Sequence, residues 1–104
     1  MKSVNDKILE NYINTVNVPI IAVFWYELCG SCDIMKNIME EIKKIFKKKI
    51  KVLKININYN KYSSEKFSIN SAPTIVIIFK KRLILKRHGI MNKNVIEKFI
   101  KKYL

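Results

Sequence analysis

The chain has 104 residues, 49% of them hydrophobic, and carries 21 Lys and Arg against 8 Asp and Glu, a net charge of +13. Such a length supports one domain, 1–104, with a modest core that needs no staple, and no apolar run approaches the ~20 residues of a membrane span. The positive charge is almost all lysine, Arg82 and Arg87 being the only arginines. Without the bidentate fork of Arg it argues against a specific nucleic-acid partner and for a general preference for acidic ones.

The opening, MKSVNDKILENYIN, lacks the continuous apolar stretch of a signal peptide. The expected compartment is therefore the cytoplasm, where structural disulfides are rare. Residues 3–15 read as a helix capped by Ser3, with Asp6 in its first turn and Val4, Ile8, Tyr12 and Ile13 on one apolar face. Pro19 precedes IIAVFWY, apolar on both faces and β-branched at its start, which predicts a buried central strand over 18–26. A helix is expected from Cys29 to about Lys48, with Ile34, Ile38, Ile42 and Ile45 forming its inward face. The alternating run Ile50 to Asn58 predicts a second strand. Residues 59–68 predict a short helix with Tyr62 and Phe67 inward. PTIVIIFK and RLILKRHG predict two further strands joined by a tight turn near Lys80 to Arg82. Residues 92–103 predict a closing helix capped by Asn92, with Val95, Ile96, Phe99, Ile100 and Tyr103 on one face. Strand, helix, strand at the front implies a parallel pair with a right-handed crossover.

Both cysteines, Cys29 and Cys32, fall where the first strand meets the long helix. A C-x-x-C can be a metal half-site, a structural staple or a reactive dithiol. A metal site needs two more ligands. His88 is the only histidine and there is no third cysteine, so only a dimer could complete one, and no metal is expected. At a strand–helix junction the first cysteine sits beside unpaired backbone N–H groups and the positive end of the helix dipole, which favour thiolate over thiol. The second lies one turn on, within reach of a mixed disulfide. Gly30 and Ser31 keep the bend small and open.

FWYELCGSC resembles the F-W-A-x-W-C-G-P-C motif of the thioredoxin family, and the resemblance spans nearly the whole chain. VLKININ resembles the strand that places a lysine, here Lys54, beneath the active site. KFSINSAPTIVIIFK resembles the segment with a cis-proline, here Pro73, followed by Thr74. Gly89 matches the glycine at the end of the last hairpin, and His88 before it falls on the rim of the substrate groove. The resemblance implies a thioredoxin fold, an α/β architecture with a central mixed sheet flanked by helices, and dithiol–disulfide exchange.

It also implies roles. Cys29 would attack a substrate disulfide and Cys32 would resolve the mixed disulfide. Trp25, Gly30, Ser31, Lys54 and Pro73 would support the site. Leu28, Ala72, Pro73, His88 and Gly89 would bind substrate, with Ala72 pairing to its backbone and Gly30 and Ile90 completing an apolar patch. No cofactor is expected beyond the Cys29–Cys32 pair. The expected partners are disulfide-containing proteins and a thioredoxin-reductase-like or thiol reductant, with no membrane and no oligomer. The rival reading is a basic binding module for an acidic partner, its cysteines idle or metal-bridging.

The sequence departs from the family pattern at defined points. Val23 stands where the buried acid is expected, Ser31 replaces the active-site proline, Leu28 replaces a tryptophan and Asn37 replaces the proline that kinks the helix. With Val23 there, the proton of Cys32 would go to water, Lys54 or the departing thiolate. Cys29 comes early enough that the first edge strand is expected to be missing, leaving four strands in the order 50–57, 18–26, 74–80, 83–89.

Overall fold

The computed structural model describes residues 1–104. In chain order the elements are β1 (Lys2–Ser3), α1 (Asp6–Thr15), β2 (Ile20–Trp25), α2 (Gly30–Phe46), β3 (Lys51–Asn56), α3 (Lys61–Lys66), β4 (Thr74–Phe79), β5 (Arg82–His88) and α4 (Lys93–Lys101), with single 3-10 turns at Lys47–Lys49 and Ile57–Tyr59. The sheet order is β1-β3-β2-β4-β5. β1, β3 and β2 run parallel; β4 and β5 are antiparallel additions. No helix is long and apolar enough to cross a membrane.

The expected four-strand order is present, and a fifth strand extends it. Lys2 and Ser3 pair in parallel with Leu53 and Lys54. The first edge strand, expected to be missing, is present but short. Ser3 does not cap α1. Asn5 does, its side chain accepting from the Ile8 N–H at 2.9 Å. Two residues of extended backbone fit between Met1 and that cap, too few to leave a periodicity in the sequence.

Alternation along β2 divides the core into two. Ile20, Ala22 and Phe24 face α1 and α3 with Leu9, Ile13, Leu53, Ile55 and Phe67. Ile21 and Val23 face α2 and α4 with Met35, Met39, Ile42, Ile75, Ile77, Ile96 and Ile100. Covered on both faces, the central strands have no need of polar residues, which is why IIAVFW is a continuous apolar run.

Helix phase is where the sequence misleads. The buried stripe of α2 is Cys32, Met35, Met39, Ile42 and Phe46, while Ile34 and Ile45 are half exposed. Cys32 must turn its sulfur toward Cys29 and the sheet, and this fixes the rotation of the whole helix. Methionine then fills the positions that isoleucine was expected to take. In α1 the buried pair is Leu9 and Ile13, and Ile8 faces outward. In α4 Ile96 and Ile100 are buried and Val95 is exposed. Tyr62 is also exposed, although Phe67 is inward as expected. The inward face of α3 is Ser63 and Ser64. Small side chains let it approach α1, where Asp6 accepts from the Ser63 N–H at 2.8 Å and Asn60 accepts from the Asp6 N–H at 2.9 Å.

Candidate active site

The parallel β2 and β3 and the antiparallel β4 and β5 place Trp25, Asn56, Thr74 and His88 at one pole of the sheet. The segment 26–29 leaves β2 there and turns into α2. Cys29 is the N-cap of that 17-residue helix, and its Sγ accepts from the Cys32 N–H at 3.2 Å. The sulfur therefore sits on one of the helix's unpaired donors, at the positive end of the dipole. The Ser31 Oγ lies 3.6 Å from the same sulfur. A disulfide joins Cys29 to Cys32. The two sulfurs differ in access: Cys29 is partly exposed and Cys32 is fully buried.

Leu28 is wholly exposed and holds a left-handed φ of 57°, an uncommon conformation for a side chain of its size. The residue before it supplies an anchor. The Glu27 carboxylate accepts from the Asn56 amide at 2.8 Å and the Asn58 amide at 3.4 Å. Its pKa is held below the ordinary carboxylate value by its own backbone N–H first and by Asn56 next. This clip ties the loop carrying the cysteine to the end of β3. It was not foreseen, because nothing in the sequence links Glu27 to asparagines about thirty positions away.

Val23 is fully buried in the apolar face under α2. Lys54 pairs with it in register and so shares its face of the sheet. The Lys54 ammonium lies 5.4 Å from the centre of the Trp25 ring, and that of Lys36 lies 4.3 Å from it. The two cations, both attracted to the indole face, border a cleft of about 380 Å³ with Asp33, Asn37 and Glu40. Lys54 is half-buried beside the site, and the contribution of Lys36 was unforeseen. The Trp25 Nε1 is buried without a hydrogen-bond partner. Asn37 leaves α2 unbroken.

On the other side of the cysteines the Ala72–Pro73 bond is cis. The Pro73 carbonyl accepts from the Gly89 N–H at 2.8 Å. Gly89 takes a φ of 77°, which glycine adopts without strain. His88 stands opposite Thr74, its Nδ1 3.1 Å from Thr74 Oγ1 and 3.3 Å from Ser71 Oγ. Thr74 donates its only hydroxyl proton to the Ser71 carbonyl at 2.7 Å. At the histidine contact it must therefore accept, so Nδ1 carries a proton and donates. His88 braces the proline loop. Met91 N–H donates to Met35 Sδ at 3.4 Å and draws the following segment onto α2. The half-exposed Ile90 thereby reaches the same pole as Leu28. Gly30 is exposed, and a Cβ there would meet no atom within 4 Å. It leaves the approach to Cys29 open rather than relieving a clash. No three His, Cys, Asp or Glu side chains cluster as metal ligands would.

Comparison with known proteins agrees with this geometry. The sequence model of the Thioredoxin family matches residues 1–102. The thioredoxin of Rickettsia prowazekii is 31% identical over 102 residues, 98% of this chain and 97% of that protein. The thioredoxin of Haemophilus influenzae is 26% identical over 101 residues, 97% and 94% of the two chains. Among solved structures, chloroplastic thioredoxin z superposes with a TM-score of 0.90 at 25% identity, covering 99% of this chain and 93% of that one.

Proposed function

Because the chain belongs to the thioredoxin family and is a protein dithiol–disulfide oxidoreductase, we propose that it works as a reductase in which Cys29 attacks and Cys32 resolves. Membership carries disulfide substrates and a reductase-type partner in general, and it favours exchange chemistry over a binding module with idle cysteines. The division of labour rests on one observation. Cys29 is the accessible sulfur and caps α2, whereas Cys32 is sealed beneath it.

The Cys29 thiolate attacks one sulfur of a substrate disulfide. A mixed disulfide forms, and the first substrate sulfur leaves as thiolate. Cys32 then loses its proton and attacks Cys29 Sγ. The Cys29–Cys32 bond forms, and the second substrate sulfur leaves. Two electrons have passed to the substrate, whose two thiolates take up the Cys32 proton and one further proton from solvent. The Cys32 N–H and the Ser31 hydroxyl stabilise the Cys29 thiolate. Val23 offers Cys32 no acid, so its proton goes to water or to the substrate thiolate, with Lys54 on the same face of the sheet as Val23. Leu28, Gly30, Ala72 and Ile90 present an apolar rim to the substrate. Pro73 and Gly89, joined by the bond from the Gly89 N–H to the Pro73 carbonyl, shape its far side, and His88 holds the neighbouring Thr74.

In this reading no cofactor is needed beyond the dithiol pair. The protein is a single domain over 1–104, monomeric, and regenerated in the cytoplasm by a thioredoxin-reductase-like or small-thiol reductant. A reducing compartment suits a couple that must be returned to the dithiol after each turnover. Trapping tests the roles. With a disulfide-bonded protein as substrate, Cys32→Ser accumulates a mixed disulfide through Cys29, and Cys29→Ser accumulates none. Equal trapping by both variants refutes the assignment.

A further inference from the structure

At the pole away from the disulfide, the end of α2, the start of β3 and β1 enclose a groove of about 930 Å³. Lys2, Lys43, Lys44, Lys47, Lys48 and Lys51 line it. Its apolar floor is Val16, Val18, Ile50 and Val52. Glu40 is its only acid, and that carboxylate is already paired with the Met1 ammonium. None of the six lysines takes part in an ion pair; those of this chain engage Lys36, Lys61, Lys66 and Lys93. Lys2 donates instead to the Tyr12 hydroxyl at 3.0 Å, and Lys51 lies over the same ring. The folded chain thus gathers six lysines around a single carboxylate that the Met1 ammonium already pairs, a self-repelling arrangement.

A second observation falls in the same place. Lys47 ends α2 with φ 51° and ψ −124°. Glycine and asparagine dominate that conformation, and a longer side chain held there is strained. A lysine occupies the position where glycine would relieve the strain and remove the charge.

We propose that this groove is a docking site for an acidic protein segment bearing aliphatic or aromatic side chains, which holds the enzyme by the pole opposite its cysteines. Carboxylates match the lysine rim, and apolar side chains match the aliphatic floor. A phosphodiester strand would leave that floor uncovered and find no arginine fork. A membrane surface would need a projecting apolar face, and this one is recessed.

The test uses a short fluorescein-labelled peptide of glutamates interspersed with leucine, followed by fluorescence anisotropy at low and at physiological salt. The wild type binds it, and more weakly as salt rises. Lys44→Glu with Lys48→Glu weakens binding by about tenfold or more through like-charge opposition. Lys98→Glu with Lys101→Glu, an equal charge change on exposed α4 positions, costs much less. Lys47→Gly weakens binding while raising the melting temperature, so loss of fold cannot explain the effect. Disulfide reduction is unchanged in all three variants. Equal weakening by the groove and α4 variants overturns the proposal, because binding then follows net charge alone. A peptide with serine for leucine binding as tightly removes the role of the floor and overturns it too. So does tighter binding of an oligothymidylate or of phosphatidylserine vesicles than of the peptide.

Discussion

Placing an acid at Val23 puts a number on the apolar face beneath Cys32. Val23 is fully buried and lies between Lys54 of β3 and Ile75 of β4. In Val23→Asp, losing the buried valine forfeits roughly 1.5–3 kcal/mol. A buried carboxyl without a partner adds about 1–3 kcal/mol. Lys54, in register on the same face, recovers part of this by pairing, so the net loss near neutral pH is about 2–5 kcal/mol. Burial raises the folded-state pKa of the new acid above its unfolded value of about 3.9. The protonated form is tolerated and the carboxylate is not, so the destabilisation grows as pH rises through the raised value. Urea unfolding of the oxidised protein at about pH 4 and about pH 8, followed by the fluorescence of Trp25, measures it. Adding Lys54→Met deepens the loss at the higher pH and leaves the lower one unchanged. An equal loss at both pH values, or a loss under about 0.5 kcal/mol, refutes the picture of a sealed apolar floor.

The Ser31 hydroxyl beside Cys29 favours the reduced form, so the couple is expected to be more oxidising than the about −270 mV of thioredoxin; equilibration with glutathione at or below that value contradicts this, and Ser31→Ala should shift the couple toward reducing. Leu28→Gly relieves the left-handed φ and stabilises by up to about 1 kcal/mol, yet KM for a protein disulfide rises severalfold; an unchanged KM removes Leu28 from the docking rim. Because the folded pKa of Glu27 is lowered, its clip is in force above the ordinary value of 4.5 and is lost as pH falls through the lowered one. The melting temperatures of wild type and Glu27→Gln should therefore converge in acid, and a gap constant with pH argues against the clip. Because the His88 Nδ1–H braces the proline loop at Thr74 Oγ1, His88→Ala should lower kcat/KM for a protein disulfide severalfold; an unchanged kcat/KM removes His88 from the site.

The order of elements was legible because each central strand is a continuous β-branched run and each helix has its own period. The site was legible where neighbouring residues carry it, as in Cys29–Cys32 at the helix start and Pro73–Thr74 before β4. Helix rotation was not. Ile34 and Met35 fit the period equally well, and only the demand that Cys32 face the sheet chooses between them. Pairings across long separations were equally hidden, as Glu27 with Asn56 and His88 with Thr74 illustrate. A two-residue strand such as β1 has no periodicity to detect, and its position is set by the edge of β3 rather than by its own composition.

The two free margins of the sheet are guarded in different ways. β1 is only two residues long and offers an incoming strand almost no ladder. β5 is seven residues long, yet it carries Arg82, Lys86 and Arg87, and the Lys80–Lys81 turn adds two more charges at its start. If two copies aligned β5 against β5, these cations would be brought together along the shared edge, and the repulsion would oppose growth of a continuous intermolecular sheet. That protection is Coulombic, whereas the protection at β1 is a matter of length. Concentrated salt should therefore erode one margin and leave the other intact, so that any edge-to-edge aggregate formed in high salt joins through β5.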